Sequence, residues 1–150
     1  MYEEAFMRRA VAISAEALTT PGTEPFGAVV VRDGRIVGEG INRSLQNFDP
    51  TSHGETEAIR DACRNLATVD LTGCDLYTSC EPCALCVAAM TIAGIGRLYY
   101  AASDPKGGGV EHGPRVFNQP TCHHAPEVYS GFREGEAAGL LRDFFAERRG

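Results

Sequence analysis

Lysine is almost missing from this chain. Of its 14 basic residues only Lys106 is a lysine, and the arginines are scattered without a block, so no general polyanion-binding surface is announced. A local basic patch can still form within a chain whose 20 acidic side chains leave a formal charge of −6. Long apolar runs are lacking too. The longest nearly uninterrupted apolar or small stretch, Cys83 to Ile95, falls well short of the roughly 20 residues a membrane-spanning helix requires, so no membrane role is expected. The start, Met1-Tyr2-Glu3-Glu4, lacks the positive flank and apolar run of a secretory signal, so a cytoplasmic location with reduced thiols is expected. Neither internal repeats nor low-complexity segments occur. What is there is 150 residues, 43% of them apolar, enough for residues 1–150 to fold as one domain that buries about two-thirds of its unfolded surface.

Cysteine is not scarce. Of Cys63, Cys74, Cys80, Cys83, Cys86 and Cys122, three fall within seven positions, which in a reducing compartment points to metal or redox chemistry rather than to disulfides.

Residues 3 to 19 carry Phe6, Ala10, Ile13 and Ala17 at helical spacing and stop at Thr19-Thr20-Pro21-Gly22. Phe26 to Arg32 and Arg35 to Ile41 read as antiparallel strands joined at Asp33-Gly34, a pair suited to a type I′ turn. A helix follows over residues 55 to 67, then a strand over Cys74 to Ser79. A buried helix is expected over about 82 to 93, with Pro82 as its first residue and Gly94 and Gly96 ending it. Arg97 to Ala102 reads as a strand, Ser103 to Ala125 as a long loop, and Glu134 to Arg149 as an amphipathic helix burying Leu140, Leu141, Phe144 and Phe145. Loops of that length are usually functional or disordered. This alternation predicts a layered α/β domain with helices on both faces of one mixed sheet.

Two motifs at the starts of successive helices carry the chemistry: His53-Gly54-Glu55 and Pro82-Cys83-Ala84-Leu85-Cys86. Residues three apart on a helix share a face, so Cys83 and Cys86 can reach one zinc ion at about 2.3 Å. His53 and Glu55 would point apart inside a helix, and a common pocket therefore requires His53 at or before the cap. Two cysteines and one histidine make three ligands, the count of a catalytic zinc with its fourth position open. A structural zinc would want a fourth ligand, from Cys80, another cysteine, His112, His123 or His124. Two thiolates cancel the zinc charge and acidify bound water less than three histidines do, so a proton acceptor is needed beside it; Glu55 fits as general base and acid.

A histidine, a glutamate two residues on and a later Pro-Cys-x-x-Cys form the signature of zinc-dependent nucleobase deaminases. The chain resembles the cytidine deaminase superfamily over nearly its whole length. Pro25-Phe26-Gly27-Ala28-Val29, Gly38-Glu39-Gly40-Ile41-Asn42, Asp49-Pro50-Thr51 and Tyr77-Thr78-Ser79-Cys80-Glu81-Pro82-Cys83 are similar to bacterial guanine deaminases. Phe132 to Arg149 is similar instead to the terminal helix of bacterial tRNA adenosine deaminase. The resemblance implies a three-layer α-β-α sandwich on a five-stranded mixed sheet, a homodimer, and a base held by Asn42 and the ring of Phe26. It further implies hydrolytic replacement of an exocyclic amine by oxygen, with release of ammonia. Gly54 stands where guanine and tRNA deaminases usually carry Ala, so an altered pocket floor is expected, and residues 105–127 match neither relative well.

Each residue has a plainer role to set beside this one. Ser52 and Glu55 also fit a capping box; Cys83 and Cys86, or Cys80 and Cys83, fit a redox pair; Asn42 fits a turn and Phe26 the core. Cys63 and Cys74 read as small core residues. Cys122 beside His123 and His124 fits solvated loop histidines or a pocket lid ahead of a second metal site. Glu111 and His112 stand where a loop could offer a polar group to a base edge. The substrate expected from these features is a free base or nucleoside, guanine-like first and cytosine-like second, with tRNA adenosine deamination and a non-catalytic zinc-stabilised binding module as the alternatives.

Overall fold

The computed structural model describes residues 2–149. Helix α1 (Glu4–Ala15) ends in a 3₁₀ turn over Glu16–Leu18 and leads to the hairpin of β1 (Glu24–Arg32) and β2 (Arg35–Asn42). At the hairpin turn Asp33 and Gly34 both have positive φ, 51° and 74°, as a type I′ turn demands. A single helical turn, α2 (Ser44–Asn47), precedes α3 (Gly54–Leu66), β3 (Asp75–Cys80), α4 (Ala84–Ala93) and β4 (Arg97–Ala102). After a long loop come β5 (Glu127–Ser130) and α5 (Glu134–Arg149).

The strands form one five-stranded sheet in the order β2-β1-β3-β4-β5. β1 is antiparallel to β2 and β3, whereas β3–β4 and β4–β5 are parallel, so the sheet is mixed. Alternation along the strands sorts the core onto two faces. Ala28, Val30, Leu76, Leu98 and Tyr100 pack with Ala58, Ala62, Val87 and Met90 of α3 and α4. Val29, Val31, Tyr77, Tyr99 and Ala101 pack with Met7, Val11, Ala137 and Phe144 of α1 and α5. The result is the expected three-layer sandwich. Helix α3 lies so close on the hairpin that a β-carbon at residue 40 would stand 2.4 Å from the Gly54 carbonyl oxygen, which explains a glycine in mid-strand.

Most differences from the sequence reading sit at the ends of elements, but within α5 only Phe144 of the four expected core residues is buried: Leu140 and Leu141 are half-buried and Phe145 is exposed, because its side of the helix is turned from the sheet. Helix α4 begins at Ala84 with Cys83 as its cap, so Pro82 precedes the helix instead of opening it. β3 runs one residue further than expected, through Cys80. β5 went unread as a strand because it spans four mostly exposed residues at a sheet edge, directly after the irregular loop.

Candidate active site

The site gathers where β3 ends and α3 and α4 begin, beyond the carboxyl ends of parallel strands, the usual ligand position in such sheets. His53 caps α3 with extended backbone, φ −90° and ψ 163°, which turns its ring out of the helical register. Its amide donates to the Thr56 hydroxyl at 3.0 Å. Thr56 therefore does the capping, Ser52 turns its hydroxyl to Glu57 at 3.0 Å, and Glu55 is left free of the capping-box role. Cys83 caps α4 and Cys86 follows in its first turn.

These starts bring together His53 Nδ1, Cys83 Sγ and Cys86 Sγ. The two sulfurs are 3.8 Å apart and lie 3.4 and 3.5 Å from Nδ1. Ligands at ordinary Zn–S and Zn–N distances around a tetrahedral zinc should be separated by about 3.8 Å (S to S) and about 3.6 Å (S to N). The donor set thus fits zinc in type and in spacing. Among the described residues, no other His, Cys, Asp or Glu joins this group of ligand atoms. His112 bonds to Glu81, and His124 bonds to the Ile95 carbonyl. The Cys86 contact, and then His53, lower the Cys83 thiol to about 4 against the opposing effect of burial. Contact with Cys83 and burial push the Cys86 thiol up.

Glu55 is buried, with 6% of its surface exposed. Loss of solvent, and then the charge of Cys83, push its carboxyl up to about 7. It lines a cavity of about 150 Å³ together with Phe26, Asn42, His53, Cys80 and Asp104. Pockets for drug-sized ligands measure roughly 300–1,000 Å³, so this one takes a single flat ring and leaves the rest of a nucleotide outside. Asn42 also holds the turn: its Oδ1 accepts from the Ser44 amide at 3.0 Å and the Ser44 hydroxyl at 2.9 Å.

Two residues expected near the base lie elsewhere. Gly54 does not line the cavity; it packs under β1, where a β-carbon would stand 2.3 Å from the Phe26 carbonyl oxygen. Glu111 turns to the hydroxyls of Tyr100 and Ser130, away from the cavity. The residue the sequence reading missed is Glu81. Its side chain is fully buried and accepts from the amides of Asp104, Val110, Glu111 and His112 and from His112 Nδ1. One carboxylate thus folds the long loop back on itself. Gly108 comes so near it that a β-carbon would stand 2.3 Å from Oε2, which accounts for a glycine in Gly107-Gly108-Gly109. The available signal was an acidic residue between two motif cysteines with no ligand role of its own. Cys74 is buried in the core and Cys63 packs against it, while Cys122 donates to the His124 carbonyl at 3.1 Å.

Fold and site together define a zinc-dependent hydrolytic deaminase. The family model for the cytidine and deoxycytidylate deaminase zinc-binding region matches residues 1–102, and the chain belongs to that family. It is 54% identical over 125 residues to the tRNA-specific adenosine deaminase of Agrobacterium fabrum, spanning 83% of this chain and 82% of that one. It is 45% identical over 102 residues to the guanine deaminase of Bacillus subtilis, spanning 68% and 65%. A solved structure from studies of A-to-I editing by tRNA:A34 deaminases at the wobble position of transfer RNA superposes with a TM-score of 0.88 at 49% identity, covering 93% of this chain and all of that one.

These matches correct the expectation of a free guanine-like or cytosine-like substrate. That expectation leaned on short motif segments around the pocket and on the acidic overall charge. Motif segments describe the deamination chemistry that the relatives share, and net charge says nothing of the few cations at a cavity mouth. Among the described residues no helix is long and apolar enough to cross a membrane.

Proposed function

We propose that this chain deaminates adenosine to inosine in the anticodon loop of tRNA, at the wobble position. The observation that carries the reading is the 54% identity over 125 residues with a tRNA-specific adenosine deaminase, and a cavity sized for one base supports it. Double-stranded or stacked bases cannot present C6 to a recessed metal, so the target nucleotide must be turned out of its stack into the cavity.

Zinc held by His53, Cys83 and Cys86 would supply the Lewis acidity that makes water a nucleophile near neutral pH. Glu55 takes a proton from the attacking water and passes it to N1 of the purine, then takes the remaining proton from the new C6 hydroxyl and delivers it to the departing amine. Oxygen replaces nitrogen at C6 and ammonia leaves. Its burial places it where both halves of this exchange are accessible near neutrality. Phe26 bounds the ring, and the Nδ2 amide of Asn42, whose Oδ1 is occupied by Ser44, is assigned to a ring acceptor. The homodimer implied by the resemblance is assigned to the outer face of α4. There Leu85 and Ile92, seven residues apart on the helix, are 40% and 80% exposed.

The test is ammonia release from guanine, cytosine, adenine and their nucleosides, set against inosine formation in an anticodon stem-loop. Inosine in the RNA with the free compounds inert is expected. Turnover of guanine with the RNA untouched would overturn the reading.

A further inference from the structure

The start of β1 does not run straight into the sheet. Along the hairpin Glu24 pairs with Asn42 but Gly27 pairs with Ile41, so Pro25 and Phe26 are extra residues that bulge out of the ladder. Toward β3 the backbone pairing opens only at Ala28, opposite Thr78. Bulges beside a ligand cavity re-aim a side chain, and here that side chain is the Phe26 ring in the cavity wall. Proline suits such a place, because it has no amide to give to a ladder.

The bulge is gripped from both faces of the sheet. On one side α1 meets Gly27, where a β-carbon would stand 2.4 Å from the Ala10 carbonyl oxygen; on the other Gly54 of α3 lies against the Phe26 carbonyl. These are packing contacts, which limit how far the bulge moves without fixing its rotation. A hydrogen bond does that. The Gly27 amide, buried and beyond the end of the β1–β3 ladder, donates to the Ser79 hydroxyl at 3.1 Å. Ser79 is 2% exposed and does not line the cavity, but it stands directly before Cys80, which does. A hydroxyl buried in a strand is unfavourable unless it is bonded, and this one answers an amide that the bulge leaves outside the ladder.

We propose that Ser79 is a positioning residue for the deamination: through the Gly27 amide it fixes the bulge that aims the Phe26 ring at the substrate base. It touches neither the base nor the metal and acts only through that ring. This role rests on the reading in which a turned-out adenosine fills the cavity, and it adds the group that sets the angle of one cavity wall.

The experiment follows inosine formation in an anticodon stem-loop, together with zinc content, on the full zinc-loaded chain and its variants. Ser79→Ala should lower kcat/KM about five- to tenfold, the scale of one buried hydrogen bond, with zinc retained at the parent level. Threonine and valine have nearly the same shape and differ in the hydroxyl. Ser79→Thr should therefore stay within about twofold of the parent, while Ser79→Val falls as far as the alanine variant. This pair carries the same comparison where Ser79→Ala is too unstable to assay. A hydroxyl that only stabilised the fold would cost the same whatever stood at residue 26. Adding Ser79→Ala to Phe26→Ala should instead cost less than about twofold more, because the ring it aims is gone. Additive losses in the double variant, zinc loss that accounts for the fall, or a valine variant as active as the threonine one overturn the role. A parent chain that ignores the stem-loop and releases ammonia from a free base overturns the tRNA reading alone, and the same cycle run on that base then decides Ser79.

Discussion

A β-carbon at residue 54 would stand 2.3 Å from the Phe26 carbonyl oxygen, so Gly54→Ala must move the start of β1, and with it the ring that bounds the cavity. The expected cost is about 1–3 kcal/mol of stability, typical of overpacking, together with a raised KM. Denaturant unfolding and steady-state kinetics read both, and unchanged values would show that β1 yields without consequence. At this scale the metal site was legible because spacing alone restricts it: Cys83 and Cys86 share a helix face, and His53 can join them only where the backbone is not yet helical. Gly54 and Glu111 were not legible as bystanders. Whether a side chain lines a cavity or backs it depends on how closely two elements approach, as at Gly54, or on which hydroxyls a loop meets, as at Glu111, and neither is written in local sequence.

Among the elements, the loop after β4 depends on Glu81. Replacing its carboxylate by an amide leaves shape nearly intact but brings an NH₂ group against amides that already donate, so Glu81→Gln should free residues 104–112 from their mount. Limited proteolysis should then cut this loop faster, and KM should rise more than kcat falls, because Asp104 and Gly107 lose their places in the cavity wall. Equal resistance to protease would contradict that role. Helix α5 is tied to α1 by a different acid. Glu4 accepts from the Tyr2 hydroxyl and from Arg133, and these bonds hold its carboxyl below the ordinary carboxylate range, Tyr2 contributing most. A depressed pKa stabilises the fold above the unfolded-state value and is lost as pH falls through the folded one, so the tie is present at neutrality and fails in acid. Hydrogen exchange in α5 should therefore rise below about pH 4 and not above it, given ordinary carboxylate behaviour. Helices and the hairpin were legible from periodicity and from Asp33-Gly34. β5 was not, since four residues at an edge carry too little pattern to separate them from the loop they follow.

For the whole molecule, the exposed pair Leu85 and Ile92 on α4 predicts the assembly. Ile92→Glu should convert a dimer to a monomer in sedimentation, while the same dimer in the variant would place the interface elsewhere. Removing zinc should lower the melting temperature, because the metal joins the starts of two helices packed on one face of the sheet; an unshifted transition after chelation would detach the site from the fold. The layered fold was legible from element order, whereas the substrate was not: the motifs that specify the metal and its carboxylate belong to every deaminase of this kind and do not separate one substrate from another. The central claim is that three ligands hold a zinc beside a carboxylate that moves the protons. Zinc content and inosine formation measured together on the parent chain and on Glu55→Gln test it most directly. One zinc per chain in both, with the rate lower by about 10²–10⁴-fold in the variant, is predicted. A metal-stripped protein that still turns over, or a glutamine variant at full rate, would contradict it.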